Sequence, residues 1–283
     1  MNIDTVAVLG FGTMGAGIAQ SIAQSGRKVL VLETTEDRIK AGQDSMEAFL
    51  ATGVARGKQI EQEKAAIQSR VIGVTQVEQL KDVDLVIEVV TENMDVKKSL
   101  LAQVASVVGS DVPLLTNTSA LSVTDLAAAL DHPERVAGLH FFNPAPLMKI
   151  VEIVRALQTR EDLVPVLEEF VTSMGKTPVV VKDRPGFLVN WLLLPYLNDV
   201  MRAYDEELAS AEDIDTAVRL GLGYRQGPLE LLDLIGLDVH LHATTNAYAA
   251  TLDSRFAAPP ILSQMVAAGY LGNKSDRGFR KGE

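Results

Sequence analysis

The sequence predicts an α/β fold, a mostly parallel sheet flanked by helices, followed by an all-helical domain. Three observations carry that reading. The first half alternates short, wholly apolar runs with stretches of helical spacing, the pattern of strands covered on both faces. A glycine-rich turn, Gly10 to Gly15, joins the first run to the first helical stretch. Past Pro185-Gly186 no convincing strand remains.

Taken in order, Val6 to Leu9 is the first strand, and Met14, Ile18 and Ile22 then share one helical face until Gly26 ends it. Lys28 to Leu32 is the second strand. The stretch from about Glu36 to Gln68, rich in Ala, Gln, Lys and Glu, reads as a pair of surface helices. Strands resume at Leu85 to Val90 and Leu114 to Thr116, and three more follow at Val136 to Phe142, Lys149 to Val154 and Pro178 to Val181. Glycines and prolines then separate helices only. At roughly 150 residues per domain, 283 residues suggest two domains, divided here as 1–183 and 184–283. Phe187 to Tyr204 is a helix too apolar for one solvated face, with Pro195 as a kink site, and so is expected to pack against another subunit. Ser210 and Asp213 form a capping box for the next helix.

Composition narrows the function. With 47% hydrophobic and 22% charged residues the chain lies away from disordered sequences. A formal charge of −11 opposes binding to nucleic acid or an anionic membrane. The absence of cysteine excludes a thiol nucleophile, disulfides and thiolate metal sites. Met1-Asn2-Ile3-Asp4 lacks the basic start of a signal peptide, and the apolar run Trp191 to Leu197 is far short of the roughly 20 residues that cross a bilayer. A cytoplasmic protein is expected.

Gly10-Phe11-Gly12-Thr13-Met14-Gly15 matches G-x-G-x-x-G in a specific context, directly behind a strand and opening a helix. Gly10 permits the tight turn, Gly12 lets backbone approach a pyrophosphate, and Gly15 lets helix pack on strand. The amides that open the helix then face the phosphates. Glu33 follows Gly12 by 21 residues, where a carboxylate accepts hydrogen bonds from an adenosine ribose and repels a 2′-phosphate. A Rossmann-like domain binding NAD in preference to NADP follows. Arg38, a possible partner for a 2′-phosphate, is read as a solvated helix residue.

Four histidines are present. His240 and His242 point to different sides of a helix and cannot share a metal, and His132 lies in a turn; all three are read as surface histidines, and no metal site is expected. His140 ends an apolar strand, where α/β sheets collect ligands. Glu152 interrupts the apolar run Ile150 to Val154, where a carboxylate needs a partner. A strand returning from the Asn143–Leu147 turn could bring Glu152 beside His140, fixing the imidazole tautomer. Spacing alone fits this pair and a buried structural histidine beside an edge-strand charge equally well.

The phosphate loop, Asn117 to Leu121, His140 to Ala145, Met148 to Glu152, Pro185 to Asn190 and Gly227 to Asp233 together are similar, in order and spacing, to the L-3-hydroxyacyl-CoA dehydrogenases, including 3-hydroxybutyryl-CoA dehydrogenases. The resemblance spans the chain. It implies NAD-dependent, reversible oxidation of an L-3-hydroxyacyl-CoA to a 3-ketoacyl-CoA, and a homodimer formed through the helical domain. Transferred to matching positions, it makes His140 the base and Glu152 its partner, and places Ser119 at both the substrate oxygen and the nicotinamide. Asn190 would hold the substrate, and Glu92, Lys97 and Asn143 would line the dinucleotide site. Solvated charge is the competing reading for Glu92 and Lys97, and also for Arg56 and Lys58, the candidates for the coenzyme A phosphates. Departures lie in the helical half: Trp191 replaces a usual arginine, Arg225-Gln226 is atypical, and Gly278-Phe279-Arg280 replaces Gly-Phe-Tyr. Two other functions fit the same scaffold: a β-hydroxyacid dehydrogenase acting on a free acid, and a catalytically inactive NAD(H)-binding protein.

Overall fold

A computed structural model describes residues 2–280; Met1, part of the N-terminal stretch read above, lies outside them, as do residues 281–283. The chain divides into two compact units, Met1–Asp183 and Arg184–Glu283.

The first unit runs β1 (Thr5–Leu9), α1 (Thr13–Gln24), β2 (Lys28–Leu32), α2 (Glu36–Ala55), α3 (Glu61–Arg70), β3 (Val71–Val74) and β4 (Leu85–Glu88). It continues with α4 (Met94–Ala105), β5 (Leu114–Thr116), α5 (Val123–Ala127), β6 (Val136–Phe141), β7 (Ile150–Arg155), α6 (Leu163–Ser173) and β8 (Thr177–Lys182). The strands form one sheet in the order β3-β2-β1-β4-β5-β6-β7-β8. From β3 to β6 all neighbours are parallel. β7 then returns antiparallel to β6, and β8 runs parallel to β7. The chain order reverses between β1 and β4, and a sheet of this kind takes ligands beyond the carboxyl ends of its strands at that switch.

Apolar strands without alternation need cover on both faces, and every residue of β4, β5 and β6 is buried. Ile18 and Ile22 of α1 join Val6, Val8, Val29 and Val31 in the main core. Each such side chain, removed fully from water, contributes about 1.5–3 kcal/mol.

β3 has no counterpart in the sequence reading. It is only four residues long and contains Gly73, which breaks the apolar run. That glycine has a packing cause: a Cβ there would collide with Ile39 of α2. The surface helix pair expected before it is present as α2 and α3, joined by the ion pair Lys64–Glu47 at 2.5 Å.

The second unit contains α7 (Val189–Asp205), α8 (Ala211–Gly221), α9 (Pro228–Ile235), α10 (Leu237–Thr251) and α11 (Pro260–Ala267). No strand occurs among its described residues; its sheet-like pairing is the isolated bridge between Gly272 and Arg277. α7 runs through Pro195 as one helix. Leu197, Met201, Leu229, Leu232, Leu237 and Leu262 form its core. Ser210 caps α8, its hydroxyl accepting from Asp213 N–H at 3.1 Å. Among the described residues no helix is long and apolar enough to cross a membrane.

His240 is not a surface histidine: it is buried, with Nε2 3.0 Å from Asn198 Oδ1 in a polar cluster that includes Thr244. The helical spacing that separated it from His242 was right, but it turned His240 into the core and left His242 exposed. Burial pushes the His240 imidazole down to about 4.

Candidate active site

The phosphate loop follows β1. Gly10 has φ +100°, a left-handed conformation that glycine adopts readily, and a Cβ there would lie 2.9 Å from Val89 O. A Cβ on Gly15 would collide with the Gly10 carbonyl. At Gly12 the space beyond the Cα holds no atom of the described residues within 4 Å. These are the constraints of a backbone that must turn, pack on its own helix and leave room for a ligand. Thr13, Met14 and Gly15 open α1, with amides that precede the first intrahelical bond, Ala16 N–H to Gly12 O at 2.8 Å. Phe11 is buried against α2, where Gly42 leaves room for its ring.

Glu33 leaves the end of β2 and turns to this loop. Its Oε1 accepts from Phe11 N–H at 2.8 Å and its Oε2 from Thr34 N–H at 3.0 Å. A carboxylate fixed beside the second residue of the loop can accept hydrogen bonds from a ribose and repels a further phosphate. The cradle, the open helix start and this acid together fit an NAD dinucleotide.

His140 and Glu152 are register partners across the antiparallel pair β6–β7, so their side chains share a face of the sheet. Nδ1 of His140 lies 2.7 Å from Glu152 Oε2. Glu152 has no exposed surface and His140 has 6%. The Phe142 ring packs on the imidazole, centroids 4.6 Å apart. An imidazole with Nδ1–H held by a carboxylate carries its lone pair on Nε2, the arrangement of a general base.

The Ser119 loop is anchored to the same strand ends. Asn117 Oδ1 accepts from Phe141 N–H at 2.8 Å. Glu92 Oε1 accepts from Ser119 N–H at 3.0 Å, from Ala120 N–H at 3.2 Å and from the Thr118 hydroxyl at 2.5 Å. Burial alone would raise the Glu92 carboxyl, but the Thr118 hydroxyl, the Lys97 charge and the Ser119 amide hold it below the usual carboxylate range. Lys97 is no solvated helix charge: it is 1% exposed, and its ammonium donates to both oxygens of Glu88, at 2.7 and 3.0 Å.

Other candidates are more scattered. Ser119 and Asn143 are exposed, and Asn143 precedes Pro144 through a cis peptide bond. Arg56 and Lys58 sit exposed in the connection between α2 and α3, on the surface hairpin and not at the strand ends. Asn190 lies in the first turn of α7 in the second unit. In that unit Trp191 packs edge-on against Phe256, centroids 5.0 Å apart, under the Arg255 guanidinium. Arg280 donates its backbone N–H to Asp233 at 2.7 Å and its guanidinium to Asp215 at 3.3 Å. Arg225 is exposed, and nothing in the structure explains it.

Sequence reasoning missed Glu88, Thr116 and Lys176. Lys176 is buried, donating to Ala145 O at 2.6 Å and Met148 O at 2.8 Å, and thereby fixes the turn that carries Asn143. Burial, with Lys149 nearby, holds its ammonium below the usual lysine range. Glu88 was visible in principle, as an acid inside the apolar run Leu85 to Val90, by the argument that singled out Glu152. Among the described residues no group of His, Asp and Glu could hold a metal ion.

Known proteins resemble this chain across both units. Residues 5–184 match the 3-hydroxyacyl-CoA dehydrogenase NAD binding domain, and residues 186–282 match the C-terminal domain of the same family. A 3-hydroxyadipyl-CoA dehydrogenase of Escherichia coli is 44% identical over 98% of this chain, which spans 59% of that longer protein. A 3-hydroxybutyryl-CoA dehydrogenase of Clostridioides difficile is 40% identical over 97% of this chain and 98% of its own length. The crystal structure of (S)-3-hydroxybutyryl-CoA dehydrogenase from Ralstonia eutropha superposes with a TM-score of 0.95 at 39% identity, covering 100% of both chains. With the two family models together matching residues 5–184 and 186–282, the chain belongs to the 3-hydroxyacyl-CoA dehydrogenase family.

Proposed function

We propose that this chain catalyses the reversible, NAD-dependent oxidation of an L-3-hydroxyacyl-CoA to the 3-ketoacyl-CoA, with His140 as general base and Glu152 as its orienting partner. The observation that carries the reading is the 2.7 Å contact between His140 Nδ1 and a fully buried Glu152, at the carboxyl end of β6 in a sheet whose β1 feeds the phosphate loop.

Oxidising a secondary alcohol requires the hydroxyl proton and the hydride on the same carbon to leave together. Bound NAD supplies the hydride acceptor. His140 accepts the hydroxyl proton on Nε2, and Glu152 stabilises the imidazolium that results; in the reducing direction the same proton returns to the oxygen. The Ser119 hydroxyl contacts that oxygen and stabilises charge on it. Asn190 keeps the role the family resemblance implies, that of holding the substrate. The backbone of Gly10, Phe11, Gly12, Thr13, Met14 and Gly15 would hold the pyrophosphate, and Glu33 the adenosine ribose. Glu92, Lys97 and Asn143 complete the dinucleotide side, and Arg56 and Lys58 offer positive charge to the coenzyme A phosphates.

The same reading takes the first unit as the NAD-binding domain and the second as the substrate-binding and dimerisation domain. Leu192, Leu220 and Leu234 of the second unit are exposed, which supports burial in a homodimer. NAD and an acyl-CoA are intracellular reactants, so the enzyme is assigned to the cytoplasm. Neither nucleic acid nor membrane is a proposed partner.

The test is NADH oxidation with 3-ketoacyl-CoAs of increasing length, including one that ends in a carboxylate, beside free 3-ketobutyrate. The expected result is turnover of the thioesters with the free acid a far poorer substrate. Equal turnover of free acid would favour a β-hydroxyacid dehydrogenase, and tight NADH binding without turnover an inactive relative. His140→Asn is expected to lower turnover by roughly 10²- to 10⁴-fold with NADH affinity near normal, and near-wild-type turnover would remove His140 from the base role.

A further inference from the structure

We propose that Glu88 is a positioning residue of the active site, its buried carboxylate fixing Lys97 and, through Lys97 and Thr116, the loop that carries Ser119. The proposal rests on the reading that Ser119 meets the reacting oxygen and the dinucleotide.

Glu88 is the last residue of β4 and has no exposed surface. A carboxylate there is tolerated only when its lone pairs are met. Four contacts meet them: Val90 N–H at 2.6 Å, the Thr116 hydroxyl at 2.7 Å, and Lys97 Nζ to both oxygens. The Lys97 ammonium also donates to Val90 O at 3.2 Å and lies 3.3 Å from Glu92 Oε2. Its hydrogen bonds thus go to the two oxygens of Glu88 and to Val90 O, with Glu92 held as an ion-pair neighbour. Lys97 therefore serves the dinucleotide side as the cation that holds Glu92.

Two routes run from Glu88 to Ser119. Along one, Lys97 holds Glu92, which accepts from the Thr118 hydroxyl and from the Ser119 and Ala120 amides. Along the other, the Thr116 hydroxyl donates to Glu88 and accepts from Thr118 N–H at 3.2 Å. A buried ion pair adds little stability over well-packed apolar residues, so stability alone gives no reason to place one at the ends of β4 and β5. Both routes end in the Ser119 loop, while the amides that open α1 take no part. Loosening the cluster should therefore displace Ser119 more than the phosphate cradle.

The test measures steady-state kinetics of the full chain with NADH and acetoacetyl-CoA, together with thermal melting. Glu88→Gln keeps the volume and removes the charge. It is expected to lower kcat by about tenfold or more, since small misplacements near reacting atoms are costly. KM for NADH should stay within about threefold. Thr116→Val, which leaves the ion pair intact, should lower kcat several-fold in the same way. In the double variant Glu88→Gln, Lys97→Met both charges go together, so melting should recover while kcat stays low, because Glu92 has lost its cation. Wild-type kcat in the folded Thr116→Val and double variants would make the pair purely structural and overturn the proposal. A rise in KM for NADH matching the fall in kcat would overturn it too, by showing that the cluster serves cofactor binding and not the placing of Ser119. A wild-type chain inactive on the thioester would overturn the proposed function as well, whereas an active wild type with unaffected variants overturns this inference alone.

Discussion

Replacing Glu152 by glutamine removes the charge from the His140–Glu152 pair while keeping its shape. The side chain keeps its length inside a fully buried site, so no cavity forms and no unpaired charge is left behind. Two effects then act on the imidazole. The hydrogen bond from Nδ1 at 2.7 Å loses its charged acceptor. Bonds to charged groups contribute about 1.5–3 kcal/mol, which at 1.36 kcal/mol per decade is roughly 10- to 150-fold in rate if the full amount appears as the imidazolium forms. The glutamine amide can also donate to Nδ1, which moves the ring proton to Nε2 and occupies the nitrogen that must accept the substrate proton. The two together predict a fall in kcat of about 10²- to 10⁴-fold. The assay is initial-rate reduction of acetoacetyl-CoA, with NADH binding followed by fluorescence and folding by circular dichroism. NADH affinity should move little, because the phosphate loop and Glu33 are untouched. A folded variant with kcat within threefold of wild type would show that Glu152 neither orients nor charges the base.

Glu33→Ala should narrow the preference for NADH over NADPH, measured as the ratio of kcat/KM values, by about tenfold or more, because a charge-assisted ribose contact is lost and repulsion of a 2′-phosphate is relieved. An unchanged ratio would remove Glu33 from the ribose site. The buried His240 makes stability depend on acid: an unfolded histidine takes its proton near 6.5, the folded one only near about 4, so between these values the unfolded chain binds more protons. The stability present above pH 6.5 is therefore lost as pH falls towards about 4, amounting to about 2 kcal/mol at pH 5. Urea midpoints at pH 7 and pH 5 should differ less in His240→Gln than in the wild type, and equal differences would show that His240 carries none of the acid sensitivity.

How much could be read in advance follows the range of each interaction. The parallel strands and α1 were legible because burial on both faces forces a continuous apolar run, and because Gly10, Gly12 and Gly15 serve backbone geometry local to one turn. β3 was not: Gly73 is there because Ile39, far off in sequence, packs against it, and no local pattern reports that contact. The pairing of His140 with Glu152 was proposed from an acid that needed a partner, but only strand register fixes it, since a shift of one residue would send Glu152 to the opposite face. Lys97 shows the reverse limit. A lysine on an amphipathic helix reads as solvated, and only the neighbouring end of β4, with Glu88 on it, accounts for a buried ammonium.

An acidic chain that binds two anionic reactants poses an electrostatic question, and the carboxylates near the strand ends show how it is met. Glu33 is hydrogen-bonded to the backbone at Phe11 and Thr34, Glu88 to Lys97, Glu92 to three donors of the Ser119 loop, and Glu152 to His140. Each faces donors fixed by the fold, so its field is largely met within hydrogen-bonding distance and it serves to orient a loop or a ring. In the proposed binding mode the dinucleotide phosphates would meet backbone amides at the start of α1, whose attraction is independent of the formal charge of −11. Exposed charges farther than about 8 Å apart are screened at physiological salt, so the remaining surface acids should slow encounter with coenzyme A more than they weaken the bound complex. Raising ionic strength should accordingly increase kcat/KM for the thioester while leaving kcat unchanged. A decrease in kcat/KM would instead mean that local positive charge, such as Arg56 and Lys58, governs the approach of the substrate.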